Sequence, residues 1–266
     1  MPKISVIMGV YNCKSFDALE ASVTSIINQT FNDWEFIICN DGSTNETLEV
    51  LKNIEEKDGR IKVITYKKNQ GLAYALNECI KVSAGDFIAR QDDDDVSDIH
   101  RFEKEMKYFE SHPDISIVGC TASVFDTNGT WGKFSVPANP KPKDFFWNSP
   151  FIHPSVIIKK ADLQKAGCYR ISKETRRCED YDLFMTMYSL GMRGHNIQEE
   201  LYRYCIINGN NKHRPMKYRI DEAKVRYIGY KKMGLLFYGL PYIAKPIIIG
   251  LMPQKFFKKV TKKQYA

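Results

Sequence analysis

The sequence predicts an α/β protein built on a doubly wound, mostly parallel β-sheet. Short apolar runs, typical of strands buried on both faces, alternate with segments of helical periodicity four times in the first hundred residues. Strand–helix units in succession favour a parallel sheet with helices on both faces. The chain has 266 residues and is 43% hydrophobic, so it is long and apolar enough for one large domain.

The same periodicity places the elements of this first half. Strands are predicted at residues 4–8, 34–39, 61–66 and 87–89. The helices between them bury one face, which carries Leu19, Val23, Ile26, Ile27, Leu48, Leu51, Ile54, Leu72, Ala75, Leu76 and Cys79. Ser43 and Glu46 have the spacing of a capping box, which predicts that the second helix begins at Ser43.

After Asp98 the regular alternation ends. Further helices are predicted at residues 101–110, 180–190 and 215–233, and further strands at 115–125, 155–158 and 201–207. The helix at 180–190 is expected to bury Leu183, Phe184, Met187 and Leu190. Asn128 and Gly129 are a hairpin turn signal. No clear linker divides the chain, so we predict one domain over residues 1–211 with a mixed second half, followed by a C-terminal helical extension over 212–266.

Positive charge is concentrated in this extension. Residues 212–266 hold 14 basic and two acidic side chains, whereas the first 211 residues hold 25 basic and 30 acidic ones. Such a segment favours a polyanionic partner, either an anionic membrane surface or nucleic acid. Because no nucleic-acid recognition motif accompanies the charge, the membrane surface is favoured.

The extension is also apolar between residues 235 and 252. Pro241, Lys245 and Pro246 interrupt this stretch and disfavour a membrane-spanning helix. We predict that its apolar side chains lie in the lipid interface while the following lysines contact headgroups, namely Lys255, Lys258, Lys259, Lys262 and Lys263. The alternative is a helix packed on the domain, followed by a solvated basic tail.

The cysteines indicate the compartment. Seven of them lie far apart in sequence, and no C-x-x-C pair exists. The first strand follows the initial methionine closely, with no secretory signal between them. We therefore expect reduced thiols in a cytoplasmic chain, rather than a disulfide framework or a zinc site.

Ligands of doubly wound sheets bind at the carboxyl ends of the strands, so the loops that follow the strands are the candidate sites. Asp41 follows the second strand, and its carboxylate could accept the N–H groups of a nucleobase, although Asp-Gly is also a common turn pair. Residues 92–95 are four consecutive aspartates after the fourth strand. Their oxygens suit Mg²⁺ or Mn²⁺, which would offset their mutual repulsion; the alternative is a solvated acidic loop.

A further acidic pair, Glu179 and Asp180, opens the helix predicted at 180–190. Acidic side chains in a first helical turn complement the helix dipole, so this pair alone is explained by capping. The sequence contains no nucleophile elbow, no Walker phosphate loop and no G-x-G-x-x-G fingerprint. Because the G-x-G-x-x-G fingerprint is missing, a dehydrogenase lacks its main support in the sequence.

Several short motifs follow one another along the chain. They are the strand and loop at 4–12, Q-T-x-x-x-x-E at 29–35, N-D-G-S-T at 40–44, N-x-G-x-x-x-A-x-N at 69–77, four aspartates at 92–95, H-P-S at 153–155 and E-D-Y-D-L at 179–183. In this order they resemble the motifs of the family 2 glycosyltransferases, which have the GT-A fold. The resemblance extends from residue 4 to about residue 204.

This resemblance implies a single-displacement transfer of a sugar from a nucleotide-activated donor, a UDP-sugar in the family expectation, with inversion at the anomeric carbon. Asp180, next to Glu179, would be the catalytic base. Mn²⁺ or Mg²⁺ would be held by Asp92, Asp94 and Asp95. The donor nucleotide would be bound by Val10, Tyr11, Asn12, Asp41, Asn69, Gly71 and Asp92.

The resemblance also implies an acceptor side, with residues 1–98 binding the nucleotide sugar and residues 99–211 the acceptor. The acceptor would be a glycan or a lipid-linked sugar in cell-surface polysaccharide synthesis, with the enzyme on the inner face of the membrane. His153 and Arg177 would face this acceptor. The alternatives are a structurally satisfied histidine at a strand start and an arginine in a solvated loop.

The sequence departs from the family pattern at two places. Gly9 stands where many relatives have proline, and Tyr204-Cys205-Ile206-Ile207 stands where relatives often have Tyr-Arg-x-His. If that histidine helps to hold the metal or the pyrophosphate in relatives, His213 or Arg214 could take over its role. Two other classes remain as alternatives. A sugar-nucleotide nucleotidyltransferase predicts a basic, Gly-rich first loop, and a receiver-like signalling domain predicts roughly half this length.

Overall fold

The computed structural model describes residues 1–207 and 214–252 of the chain. Its strands are β1 (Ile4–Val10), β2 (Trp34–Asn40), β3 (Ile61–Thr65), β4 (Phe87–Arg90), β5 (Val96–Ser97), β6 (Ile117–Asp126), β7 (Gly129–Phe134), β8 (Ile157–Lys159) and β9 (Gly194–Cys205). Its helices are α1 (Phe16–Ile27), α2 (Thr47–Lys57), α3 (Leu72–Val82), α4 (Arg101–Ser111), α5 (Lys160–Lys165), α6 (Glu179–Ser189), α7 (Met216–Lys232) and α8 (Leu236–Leu251). Two 3₁₀ turns lie at Pro142–Phe146 and His153–Ser155.

One sheet runs through the described residues, in the order β3-β2-β1-β4-β8-β6-β9-β5, with β7 paired to β6. The first four strands are parallel, which confirms the prediction made from the alternating pattern. Beyond β4 the sheet is mixed, because β8 is antiparallel to both β4 and β6, whereas β9 is parallel to β6. The predicted hairpin joins β6 to β7, which begins at Gly129. The φ of Gly129 is 111°, a backbone conformation that glycine adopts readily.

Helices cover both faces of the parallel half, as a doubly wound sheet requires. Successive residues of β1 point to opposite faces. Val6 packs in a core with Leu19 of α1 and Leu51 of α2, whereas Ile7 packs in a second core with Leu76 of α3. Each strand is therefore buried on both sides, which accounts for the continuous apolar runs in the sequence.

The capping-box prediction at Ser43 is wrong. α2 begins at Thr47, and its N-cap residue Glu46 makes no capping hydrogen bond. The Ser43 hydroxyl accepts a hydrogen bond from the backbone N–H of Asn12, at 2.9 Å, and the Thr47 hydroxyl accepts one from Cys13, also at 2.9 Å. The first loop uses these hydroxyl groups, so they fasten the loops after β1 and β2 together.

Three further differences lie in the second half. The predicted strand at 155–158 begins later, as β8 at Ile157, because a 3₁₀ turn containing Pro154 precedes it. β9 starts at Gly194 rather than at residue 201. Leu190, which was expected to be inward, is the C-cap residue of α6 and is 46% exposed, since the helix has ended there.

The two C-terminal helices pack on each other and on the domain. The predicted helix at 215–233 is α7, and α8 follows as a helix that contains Pro241 and Pro246. One side of α8 packs inward through Leu236, Tyr242 and Ile243. Within residues 1–207 and 214–252, none of the helices has the length and apolar character needed to cross a bilayer. The predicted lysines from Lys255 to Lys263 lie outside the described residues.

Candidate active site

The loops that follow β1, β2 and β4 lie side by side at one edge of the sheet. Val10 at the end of β1 is paired with Asn40 at the end of β2, and Ile7 is paired with Arg90 at the end of β4. Parallel pairing therefore brings the first loop, Asp41 and the run of aspartates to the same edge.

Asp41 is buried, and its carboxylate organises a neighbouring loop. One oxygen accepts hydrogen bonds from the Tyr66 hydroxyl (2.6 Å) and the Gln70 N–H (2.7 Å). The other accepts from the Asn69 side chain (2.8 Å) and the Gly71 N–H (2.9 Å). These four bonds fix Asn69 and Gly71 next to Asp41, so three of the predicted donor-binding residues form one connected unit.

The first loop holds three more of the predicted donor-binding residues, Val10, Tyr11 and Asn12. Tyr11 is 48% exposed at the end of β1, whereas the Val10 side chain is fully buried and its carbonyl accepts a hydrogen bond from the Asp41 N–H at 2.8 Å. Asn12 has a φ of 45°, and its side chain accepts a hydrogen bond from the Thr44 N–H at 2.8 Å. Tyr11 is therefore the member of this loop that offers a side chain to a ligand.

The run of aspartates divides into buried and accessible members. Asp95 is 1% exposed; one of its oxygens accepts from the Cys205 N–H at 2.7 Å, and the other is a buried atom without a donor among the described residues. Asp92 is ion-paired with the buried guanidinium of Arg90. Asp94 reaches solvent, yet partial burial of its carboxylate raises its pKa to about 6, and the charges of Asp92 and Asp93 add to this rise.

A buried polar network supports this loop from below. The Gln91 amide donates hydrogen bonds to the Ser22 hydroxyl (3.0 Å) and the Asp95 carbonyl (3.0 Å). Arg101 is fully buried and donates to the Ser97 hydroxyl (2.7 Å) and the Arg90 carbonyl (2.9 Å). The backbone of the aspartate loop is thus held in place by groups that have no contact with solvent.

The accessible carboxylates suit a divalent cation. Asp92 and Asp94 offer hard oxygen ligands, and the charges of Asp92 and Asp93, which add to the effect of burial on the pKa of Asp94, are charges that a cation would offset. The described residues contain no preassembled group of three or more histidine, cysteine or acidic ligands. Two carboxylates leave coordination positions for substrate phosphates, which is the usual way that Mg²⁺ is bound beside a nucleotide.

Glu179 and Asp180 form the first turn of α6. Burial raises the pKa of Glu179 to about 7, to which Asp180 adds, whereas Arg90 opposes the shift. Burial likewise raises the pKa of Asp180; Arg214 opposes this rise, and Asp92 adds to it. The influence of Asp92 shows that the aspartate loop and the start of α6 are near each other, although they are distant in sequence.

Asp182, the second aspartate of the E-D-Y-D-L motif, has a structural role. It is buried and receives a bidentate pair from Arg170, at 3.0 and 2.8 Å. This pair raises the pKa of Arg170, chiefly through the hydrogen bond itself. Of the two aspartates of the motif, Asp182 is therefore the one bound within the protein.

Asp180 lines a cavity of about 400 Å³, here named cavity A. His153, Arg177 and Arg214 line the same cavity, so both predicted acceptor-side residues lie beside Asp180. The Nε2 atom of His153 is 2.8 Å from the Tyr169 hydroxyl. Burial, reinforced by the charge of Arg90, holds the pKa of His153 well below its usual value, so its ring is neutral.

A second cavity, of about 570 Å³ and here named cavity B, adjoins the first. Asn69 and Gly71 line one wall, and Arg176 and Glu179 line another. Arg177 lines both cavities and has a φ of 69°. The loop before α6 thus separates the side that carries the predicted donor residues from the side that carries Asp180.

The sequence analysis missed the buried cation at the centre of this arrangement. Arg90 is 1% exposed, pairs with Asp92 and opposes the rise in the pKa of Glu179. It directly follows the predicted strand at 87–89, and a lone arginine after an apolar run gives no signal of burial. Of the two substitutes suggested for the missing family histidine, Arg214 lines cavity A and His213 lies outside the described residues.

Residues 5–167 match the family model of glycosyl transferase family 2. The chain belongs to the family 2 glycosyltransferases. Membership of this family sets aside the nucleotidyltransferase and receiver-like alternatives.

Two relatives match almost the entire chain. EpsE of Bacillus subtilis (strain 168), which carries the name of a glycosyltransferase, is 38% identical over 264 residues, which cover 99% of this chain and 94% of EpsE. A UDP-Gal:α-D-GlcNAc-diphosphoundecaprenol β-1,3-galactosyltransferase of Escherichia coli is 30% identical over 271 residues, which cover 98% of each protein.

Solved structures share the fold. Residues 1–349 of S. aureus TarS, in complex with UDP-GlcNAc, match with a TM-score of 0.72 at 17% identity over 91% of this chain and 73% of TarS. The mannosyltransferase PcManGT of Pyrobaculum calidifontis, in complex with GDP-Man and Mn²⁺, matches with a TM-score of 0.65 at 15% identity over 98% of this chain and 79% of that one. The predicted GT-A architecture is thereby confirmed.

Proposed function

We propose that this enzyme transfers a sugar from a UDP-sugar to a hydroxyl group of a lipid-linked or glycan acceptor, with inversion at the anomeric carbon. The observation that carries the proposal is the proximity of Asp180 to the aspartate loop: burial raises the pKa of Asp180, and the charge of Asp92 adds to this rise. A base for the acceptor and a site for the leaving diphosphate are the two groups that a single displacement needs.

The donor nucleotide would bind at the loops after β1, β2 and β3. Asp41, Asn69 and Gly71 form one hydrogen-bonded unit there, and Tyr11 offers an exposed ring for contact with the base. Val10 and Asn12 would contribute through the backbone and shape of the first loop. UDP is supported as the nucleotide by the UDP-GlcNAc complex of TarS and by the name of the E. coli relative.

Asp92 and Asp94 would hold Mn²⁺ or Mg²⁺ on the donor diphosphate, and the buried Asp95 would support the loop through Cys205. The Mn²⁺ complex of PcManGT supports this assignment. When bound, the cation would offset the negative charge that develops on the departing nucleoside diphosphate. The ion pair with Arg90 orients Asp92 for this task.

Asp180 would accept the proton of the acceptor hydroxyl as this oxygen attacks the anomeric carbon. Its raised pKa makes it a stronger base than an exposed aspartate. Arg177 and the neutral His153 both line cavity A and would position the acceptor there. One displacement needs no nucleophile from the enzyme.

The acceptor would be reached at a membrane. The name of the E. coli relative states a diphosphoundecaprenol-linked acceptor, which supports a lipid-linked substrate in surface polysaccharide synthesis. We propose that the enzyme binds the anionic cytoplasmic face of the membrane through residues 212–266, while residues 1–98 bind the donor and residues 99–211 the acceptor.

A screen of common nucleotide sugars, with Mn²⁺, Mg²⁺ or excess EDTA, tests this function. We expect release of UDP from one UDP-sugar in the presence of the metal, loss of release in EDTA, and loss in Asp94→Ala, because this variant removes an accessible carboxylate. Asp114→Ala, an aspartate distant in sequence from the loop, is the matched control and should retain release. Full release in EDTA would overturn the metal assignment, and release from no nucleotide sugar would overturn the function.

A further inference from the structure

Four basic side chains meet on one wall of cavity A. Arg214, Arg219 and Arg226 come from α7 and the residues before it, and Lys245 comes from α8; the acidic residue that lines this wall with them is Glu222. Burial, followed by the charge of Arg226, lowers the pKa of Lys245 to about 8, while Glu222 opposes this shift. Burial also lowers the pKa of Arg219, and the charge of Arg214 adds to this lowering. The wall therefore carries more positive than negative charge.

The contacts show which of these cations the protein itself uses. Arg226 donates hydrogen bonds to one Glu222 oxygen (2.9 Å) and to the Phe146 carbonyl (2.9 Å), so it joins α7 to a neighbouring loop. Arg219 lies 3.6 Å from the other Glu222 oxygen. One carboxylate is thus shared between two guanidinium groups, and the wall keeps a net positive charge when Arg214 and Lys245 are added.

Lys245 is held by neutral groups. Within the described chain its ammonium contacts the Trp147 carbonyl and the Asn148 side-chain oxygen (3.1 Å), and it lies 3.9 Å from the centre of the Trp147 ring. These contacts orient the lysine without neutralising its charge. A half-buried charge that is oriented in this way is stabilised when an anion binds to it.

The chemistry of the cavity defines the anion. Asp180 lies on the same cavity and would repel an anion next to itself, so a hydroxyl group suits that end and the anion suits the end with the basic residues. Ile249 and Met252 of the α8 segment also line the cavity, and the outer side of α8 exposes Phe237, Leu240 and Ile248. The lining of cavity A therefore combines the carboxylate of Asp180, a basic wall and apolar side chains of the α8 segment.

We propose that Arg214, Arg219 and Lys245 bind the diphosphate of a lipid-linked sugar acceptor, whose sugar faces Asp180 and whose hydrocarbon chain leaves across α8. This inference rests on the proposed function, because it assigns the acceptor to cavity A. The donor diphosphate is the other possible source of the anion. Arg214 is also a candidate for the role of the missing family histidine, but none of Tyr11, Asp41, Asn69, Gly71 and Asp92 lies in the described lining of cavity A, and so the acceptor is the source that the cavity favours.

The test measures binding of farnesyl diphosphate, inorganic pyrophosphate and UDP to the full chain by calorimetry in one Mn²⁺ buffer. Lys245→Met removes the charge and keeps the apolar stem, and Arg214→Gln removes the charge of an exposed side chain. Each variant should weaken the binding of farnesyl diphosphate at least about tenfold, because a hydrogen bond to a charged group is lost. The affinity for UDP should remain unchanged. Lys231→Met, on the exposed last turn of α7, removes the same charge and should change neither.

The outcomes separate this inference from the function. Wild-type affinity for farnesyl diphosphate in both variants would overturn the inference, and so would equal weakening of UDP, which would move the cations to the donor. Equal affinities of farnesyl diphosphate and pyrophosphate would overturn the route across α8. If the variants weaken farnesyl diphosphate while no nucleotide sugar is turned over, the binding site stands and the proposed reaction fails.

Discussion

Asp180 sits where burial and neighbouring charge act on it in opposite directions. Burial disfavours its ionised form, and Arg214 favours it. The result is a carboxylate with a raised pKa on the wall of a cavity, which is the usual condition of a general base. Glu179, with a pKa raised to about 7, lies next to it in sequence and lines cavity B instead.

At the residue scale we predict that Asp180→Asn lowers kcat about 10²-fold or more, because the amide cannot accept the acceptor proton. Donor affinity should remain. In the wild type, kcat should fall as the pH decreases, since protonation removes the base, and the fall should begin above the ordinary aspartate pKa of about 4. The measurement is the pH profile of kcat for both proteins.

Asp182→Asn is the matched control for this prediction. It removes the partner of Arg170, so it should lower the thermal stability of the fold while leaving the shape of the pH profile unchanged. Wild-type turnover by Asp180→Asn, or a pH profile that Asp182→Asn displaces, would contradict the assignment of the base.

At the scale of elements, the close contact between α7 and α8 determines where Lys245 lies. Gly239 of α8 meets the buried ring of Tyr230 on α7, and a Cβ atom at Gly239 would come within 2.3 Å of that ring. The Tyr230 hydroxyl lies 3.1 Å from that of Tyr181, next to Asp180 in α6, so the ring has little freedom to move. The glycine therefore permits the approach that brings α8 to cavity A.

We predict that Gly239→Ala lowers the free energy of unfolding by about 1–3 kcal/mol, the usual cost of overpacking. Chemical denaturation measures this loss, and limited proteolysis should show earlier cleavage in α8. Gly59→Ala is the control, because a Cβ atom there meets nothing within 4 Å. Equal stability of Gly239→Ala and the wild type would show that α8 is not held by this contact.

At the scale of the whole molecule, the described part of the C-terminal extension has one packed side and one exposed apolar side. α8 packs on the domain through Tyr242 and Ile243, as the packing alternative requires. Its outer side nevertheless exposes a group of apolar side chains: Phe237 (81%), Tyr238 (66%), Leu240 (52%), Ile248 (59%) and Leu251 (73%). A helix that is packed on one side and apolar on the other suits the surface of a bilayer.

We predict that full-length protein co-sediments with vesicles that contain anionic lipid, and that Phe237→Ser weakens this binding several-fold, up to about tenfold, because an exposed aromatic ring no longer enters the lipid interface. Ile99→Ser, a change of a half-exposed apolar residue away from α8, should leave binding unchanged. Equal sedimentation of wild type, Phe237→Ser and Ile99→Ser would remove the membrane-binding role of α8. Binding should also decrease with added salt, since basic residues contribute to it.

The loops of the candidate site could be predicted wherever the signal was local. Asp41 and the aspartates at 92–95 follow strands whose apolar runs are evident in sequence, and parallel pairing then places the loops at one edge. The failure at Ser43 has the opposite origin. Its hydroxyl has the correct local spacing for a cap, but the backbone of Asn12, from a different loop, binds it instead.

The sequence by itself determined the four strand–helix units, the edge at which the candidate site loops lie and the family, because hydrophobic periodicity and short motifs are properties of neighbouring residues. Only the tertiary structure decided that Arg90 is a buried ion-pair partner, that Asp182 is structural where Asp180 faces a cavity, and that Lys245 joins Arg214 on one wall. Each of these depends on contacts between segments far apart in the chain. Burial and neighbouring charge, which set the properties of these groups, arise only when the helices and the sheet have packed together.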